Sequence, residues 1–189
     1  PCFSVLGNLI MNFSKLLNQK ASHIPSGQHA LNEEYYERIE AIQFTMAHDD
    51  GKKVDDINNA DVVLLGVSRT SKTPTSIYLA NRGYKTVNVP LVLDQRLPSG
   101  LSANKKSCIV GLVADPERLA DIRRNRVAIM KDHNLKDYTD LDVIKNEVEN
   151  SKKLFKKNNW PVIDVTRKSV EETAASILKI IEIKKNRWK

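Results

Sequence analysis

The sequence predicts an α/β protein: a mostly parallel or mixed sheet that carries a phosphate-binding loop (P-loop) and is flanked by helices. Three observations predict it. Four short, nearly continuously apolar runs at 61–65, 84–93, 107–113 and 162–165 alternate with helical patterns, which is how strands buried on both faces read. The first run passes into Gly66-Val67-Ser68-Arg69-Thr70-Ser71-Lys72-Thr73 and then into a helical stretch at 74–82, giving the order strand, phosphate loop, helix. The 189 residues, 41% apolar and 28% charged, suffice for one globular domain with a real core.

In chain order, Leu6, Leu9, Ile10, Phe13 and Leu17 fall at helical spacing and predict an amphipathic helix over 6–17 whose apolar face must lie against something. Polar residues extend from there to about Leu31, so 1–31 reads as an N-terminal helix and linker and 32–189 as the core of a single domain. Asn32 can cap a second helix striped by Tyr35, Ile39, Ile42 and Met46, which stops near His48-Asp49-Asp50-Gly51. After the first strand and the loop, the short helix at 74–82 ends at Gly83, where glycine can take the left-handed cap conformation. Residues 84–93 are rich in β-formers, with Pro90 marking the strand's end, and 96–106 read as loop. The third strand, opened by Cys108, leads to Asp115 as the cap of a helix with Pro116 in its first position. A helix starting at Thr139 carries Leu141, Ile144, Val148 and Phe155. The last begins at Ser169 with Glu172 in capping-box position and a stripe of Val170, Ala174, Ile177 and Ile181.

The loop is the strongest chemical signal. Backbone N–H groups at a loop and a helix N-terminus aim positive dipole at a phosphate, Lys72 adds a point charge, and the Thr73 hydroxyl can sit on a nucleotide's Mg²⁺. Ser71 stands where the glycine-rich phosphate-loop pattern has its second glycine. A polar turn before an N-capped helix would explain the hydroxyls alone, but not Arg69 and Lys72 beside Gly66.

Phosphoryl transfer also needs carboxylates. Asp49 and Asp50 sit at a helix end, where the dipole disfavours them unless a cation faces them, yet Asp-Asp-Gly is also good turn chemistry; the two readings stand level. Asp115 reads first as an N-cap. Asp164 lies at a strand's carboxyl end, where it can face the cleft or serve as a structural, hydrogen-bonded carboxylate. Asp61 begins its strand and belongs at the far end. The four histidines are scattered without metal-ligand spacing, which argues against a zinc site.

The net charge of +7 favours anionic ligands without choosing among them. Arg118, Arg123, Arg124 and Arg126 read as the solvated face of one helix and 184–189 as a frayed tail, which argues against nucleic acid. Two cysteines, Cys2 and Cys108, are too few for a disulfide framework, and the longest apolar stretches are strand-length; the expectation is a cytoplasmic protein with no membrane span.

Arg38-Ile-Glu-Ala-Ile-Gln-Phe44, His48-Asp-Asp-Gly51, the run from Ala60 through the loop to Gly83, Asn88-Val-Pro-Leu-Val92 and Trp160-Pro-Val-Ile-Asp-Val-Thr166 together resemble the pyruvate, phosphate dikinase regulatory protein family, which includes the phosphoenolpyruvate synthase regulators. The resemblance runs from about Leu6 almost to the C-terminus. It implies a bifunctional enzyme: a serine/threonine kinase that uses ADP to phosphorylate a threonine of the dikinase, and a phosphorylase that removes that phosphate with inorganic phosphate, releasing pyrophosphate. It makes Gly66, Val67, Ser68, Arg69, Thr70, Ser71, Lys72 and Thr73 the ADP-binding loop and tolerates serine or glycine at position 71. Lys72 and Arg69 would handle the transferring group, Thr73 would help place Mg²⁺, and Asp50 with Asp49 beside it would accept the target hydroxyl's proton. The Thr70-Ser71 pair leans toward the dikinase rather than the synthase as partner, a homodimer is compatible, and a further α/β region is expected before Pro1. A small-molecule kinase or NTPase using the same loop is the alternative, and a basic nucleic-acid module the second.

Overall fold

The computed structural model describes residues 6–21, 33–51, 54–92, 97–98, 101, 106–130 and 136–186. The chain divides into two compact units, Pro1–Glu33 and Glu34–Lys189. The first holds helix α1 (Gly7–Leu16), along which Leu6, Leu9, Ile10, Phe13 and Leu17 line one shallow apolar groove at the spacing predicted, but these side chains stay exposed instead of lying buried against another element. The expected cap Asn32 lies outside the described residues.

The second unit is built on strands β1 (Val62–Gly66), β2 (Thr86–Pro90), β3 (Cys108–Val113) and β4 (Val162–Asp164). They form one sheet in the order β2-β1-β3-β4, parallel throughout, with Val63 opposite both Val87 and Ile109. Helices α2 (Glu33–Ala47), α3 (Lys72–Ala80), α4 (Pro116–Met130), α5 (Lys136–Thr139), α6 (Leu141–Lys157) and α7 (Val170–Asn186) complete it. Alternate strand residues enter two cores. Val62, Leu64, Val110 and Leu112 pack with Leu79, Leu119, Ile144 and Ile177. Val63, Leu65, Val87 and Ile109 pack with Ile57 and Phe155. Burial on both faces is why the strands read as apolar runs rather than as alternations.

Several local signals hold. Ser169 Oγ accepts from the Glu172 N–H at 3.1 Å while a Glu172 carboxylate oxygen accepts from the Ser169 N–H at 2.8 Å, the reciprocal capping box. Gly83 lies just past α3 with φ 83°, as a glycine beyond a helix end should.

Others are corrected. No single helix starts at Thr139: α5 ends there, and Asp140 caps α6 by accepting from the Asp142 and Val143 N–H groups. The short helix after the loop starts at Lys72, two residues before Pro74, so lysine and threonine belong to its first turn. In α2 the buried positions are Ala41 and Thr45; the predicted stripe of larger side chains stays half-exposed, with Met46 exposed.

The sheet order matters for function. β1 and β3 are neighbours at the centre of the sheet, and the connection leaving the carboxyl end of β1 runs to β2 on one side while that leaving β3 runs to β4 on the other, and such a switch point opens a crevice where ligands of open α/β sheets bind. The loop from Gly66 to Ser71 occupies that place.

Candidate phosphate-binding and transfer site

The chain leaves β1 at Gly66, against β3. A Cβ there would stand 2.6 Å from Thr70 Oγ1 and 2.7 Å from the Leu112 carbonyl oxygen, so only glycine lets the loop turn this close to the sheet. The turn is tightened by two left-handed residues, Arg69 (φ 72°) and Ser71 (φ 57°), and by the buried Thr70 hydroxyl, which donates to the Val67 carbonyl at 2.9 Å. Ser71 thus holds the backbone conformation that glycine adopts most readily, at a cost on the order of 1 kcal/mol. Lys72 and Thr73 then open α3, whose first amides have no intrahelical partners.

Lys72 is buried, and its ammonium donates to the Val67 carbonyl at 2.9 Å, inside the loop's own curl. Burial pushes its pKa down to about 8, opposed by Asp50, reinforced by Arg123, opposed by Asp49 and reinforced by Arg69. An anion placed beside it would favour its ammonium form.

The acidic turn reaches the same spot from α2. His48, buried, donates from Nδ1 to the Phe44 carbonyl at 2.7 Å and stacks on the Phe44 ring, with ring centroids 4.0 Å apart. The His48 carbonyl accepts from the Asn88 N–H of β2 at 3.3 Å, and Asp50 turns left-handed with φ 52°. This delivers Asp49 to the first turn of α3: its Oδ1 accepts from Thr73 Oγ1 at 3.1 Å and from Asn88 Nδ2 at 2.5 Å, and Asn88 Nδ2 lies 3.0 Å from Thr73 Oγ1. The buried Asn88 Oδ1 has no partner among the described residues. Asp50 is exposed and is the carboxylate that acts most strongly on Lys72.

Behind the loop stands a second group. Arg123 of α4 is fully buried: one terminal nitrogen bonds Glu147 at 2.6 Å and the Ser68 carbonyl at 3.3 Å, the other bonds the Tyr138 carbonyl at 3.2 Å, and the guanidinium lies 4.7 Å from the centre of the Tyr138 ring. The Tyr138 hydroxyl in turn meets Ser68 Oγ at 2.9 Å and accepts from Arg69 Nε at 3.4 Å. This corrects the reading of the α4 arginines as one solvated face. A signal for it exists in the chain, because Arg123 is four residues after Leu119 and three after Ala120, on the buried side of the helix. Asn88 and Tyr138 have no comparable local signal.

The remaining acidic residues stay apart from the loop's lysine and threonine in their bonding. Asp115 caps α4, accepting from the Arg118 N–H at 3.0 Å. Asp164 ends β4 exposed, and hydrogen bonds from the Thr166 hydroxyl and N–H hold its carboxyl below the usual range. Asp61 is at the amino edge of the sheet, accepting from the Lys85 N–H at 2.8 Å. Among the described residues no three His, Cys, Asp or Glu side chains cluster as a metal site, and no helix is long and apolar enough to cross a membrane.

A parallel α/β sheet whose first strand feeds a tight polar loop, a buried lysine and a hydroxyl-bearing helix start, with carboxylates facing them, is the architecture on which phosphate sites of the kinase class are built. The chain belongs to the kinase/pyrophosphorylase family, whose model matches residues 1–178. It is 70% identical over 187 residues to a protein of Pelagibacter ubique, covering 98% of this chain and 68% of that one. Against a Caulobacter vibrioides protein the identity is 47% over 181 residues, covering 96% and 58%, and against one of Sinorhizobium medicae 51% over 179 residues, covering 94% and 66%. All three relatives carry the provisional name pyruvate, phosphate dikinase regulatory protein. The chain spans about three fifths to two thirds of their lengths.

Proposed function

We propose that this chain forms the phosphoryl-transfer core of an ADP-dependent serine/threonine kinase that also works as an inorganic-phosphate-dependent phosphorylase, with pyruvate, phosphate dikinase as its protein substrate. The observation that carries the reading is the meeting of Asp49, Thr73 and Asn88, from the turn after α2, from α3 and from β2, beside a loop that holds a buried lysine. A chain reversal requires none of these polar groups, whereas a diphosphate site uses a lysine against the phosphate charge and a hydroxyl and a carboxylate toward a metal ion or a proton. The family to which the chain belongs and the names of its relatives support the same reaction and partner.

In the kinase direction the loop amides and Lys72 hold the β-phosphate of ADP, and Arg69 balances charge on the transferring group. The threonine oxygen of the target attacks the β-phosphorus, AMP leaves, and Asp50 takes the hydroxyl proton. In the other direction an oxygen of inorganic phosphate attacks the phosphothreonine phosphorus, the bond from phosphorus to the threonine oxygen breaks, the new P–O–P bond makes pyrophosphate, and the departing threonine oxygen takes a proton from Asp50. The paired oxygens of Thr73 and Asp49, 3.1 Å apart, fit the hard-donor preference of Mg²⁺, which is commonly bound by one or two protein oxygens and the nucleotide's phosphates. Bound there, the ion would neutralise charge on the phosphates.

The test is phosphate transfer to purified dikinase from ADP labelled at the β-position, beside ATP labelled at the γ-position. Labelling from ADP alone is expected, and Asp50→Asn should suppress both directions by about a hundredfold or more, the usual span for a lost general base. ATP hydrolysis without any protein partner, or near-normal turnover of the variant, overturns the reading or the role of Asp50 respectively.

A further inference from the structure

The arginine of the loop is not free-standing. Arg69 is exposed, in a left-handed backbone conformation, and its only hydrogen bond among the described residues runs from Nε to the Tyr138 hydroxyl at 3.4 Å. The same hydroxyl meets Ser68 Oγ at 2.9 Å, so one side chain grips two consecutive loop residues. Held by Nε, the guanidinium keeps both terminal amino groups without partners among the described residues, and these form the fork suited to bidentate contact with phosphate oxygens.

Tyr138 is itself fixed. Arg123 lies against its ring at 4.7 Å and bonds its carbonyl at 3.2 Å, while bonding the Ser68 carbonyl at 3.3 Å and Glu147 at 2.6 Å. A fully buried charge anchored on Glu147 thus ties α5 to the loop from beneath, and the tyrosine ties it from the side. A chain reversal from strand to helix needs no such bracing. Bracing is required when a long, flexible side chain must be ready at one place, because an arginine immobilised in advance loses less rotamer freedom on binding.

We propose that Tyr138 is a positioning residue for the diphosphate: through its hydroxyl it presents the Arg69 fork to the phosphates, with Arg123 as the buried strut that holds the tyrosine. The inference rests on the reading of the loop as a diphosphate site. It adds a residue 69 positions away in sequence from the arginine it serves.

The test is a double-mutant cycle on the 189-residue chain, using Tyr138→Phe, which keeps the ring over Arg123, together with Arg69→Ala, and ADP and pyrophosphate as ligands in calorimetry. Tyr138→Phe is expected to weaken both ligands about tenfold with an unchanged melting temperature, and to have no further effect in the Arg69→Ala background. Equal affinity of Tyr138→Phe and wild type overturns the inference while leaving the loop's function intact, as does an effect that persists undiminished without Arg69, which marks the tyrosine as merely structural. If the wild-type chain binds neither ligand, the diphosphate reading itself fails.

Discussion

The buried lysine makes the proposed nucleotide binding a proton-coupled event. Burial holds the free Lys72 near a pKa of about 8, against an ordinary value of 10.5, so at pH 8 roughly half of the free molecules carry a neutral amine there. A diphosphate adds negative charge beside the amine, favours the ammonium, and should return the bound lysine to full protonation. Binding at pH 8 should therefore take up about half a proton per ADP, falling toward zero at about pH 6.5 and rising toward one at about pH 9. A phosphate group's own second ionisation, near pH 6, is complete over most of this range. Titration calorimetry in buffers of different ionisation enthalpy reads the uptake directly, and Lys72→Met should abolish it. The sign for folding is opposite to that of an ordinary salt-bridged lysine. Between pH 8 and 10.5 the unfolded chain keeps this proton and the folded chain does not, so the Lys72 contribution makes the ligand-free protein more stable as pH rises through that window. Uptake that is absent at pH 8, or identical in Lys72→Met, refutes the placement of the phosphates on this lysine.

Two further outcomes arise from the packing. Gly66→Ala places a methyl group 2.7 Å from the Leu112 carbonyl, which the sheet holds in place, and should cost about 1–3 kcal/mol in denaturant unfolding while abolishing ADP binding, since the loop must move. Glu147→Ala leaves the Arg123 charge buried without its 2.6 Å partner and should destabilise the chain by about 3–5 kcal/mol, measurable by urea unfolding; a loss under about 1 kcal/mol would mean that the arginine relaxes into solvent.

Much of the fold is legible locally. The apolar run at 107–113 differs from β3 by one residue at its start and the run at 61–65 differs from β1 by one residue at each end, because strands buried on both faces leave little freedom in composition. The capping box at Ser169 is legible because its two partners are three residues apart. The helix break at Asp140 is not, since Thr139 and Asp140 are both acceptable caps and only the folded chain chooses between them. Arg123 reads as solvated because a charged side chain on a helix usually is, and the partner that makes its burial tolerable, Glu147, sits on another helix.

The sequence by itself determined the strand, loop and helix from Val62 to Ala80, since glycine at a close approach, hydroxyls in a turn and a lysine at a helix start act within a few residues of one another. Only the tertiary structure decided what faces that loop. Asp49 reaches Thr73 across 24 positions and Tyr138 reaches Ser68 across 70, distances over which propensity and periodicity carry no information. The folded chain brings them together from outside the loop's own neighbourhood: the turn after α2 is held on β2 by the His48 carbonyl and the Asn88 N–H, α5 is held by Arg123 of α4, and the order β2-β1-β3-β4 sets the loop at the carboxyl end of a central strand where both can reach it.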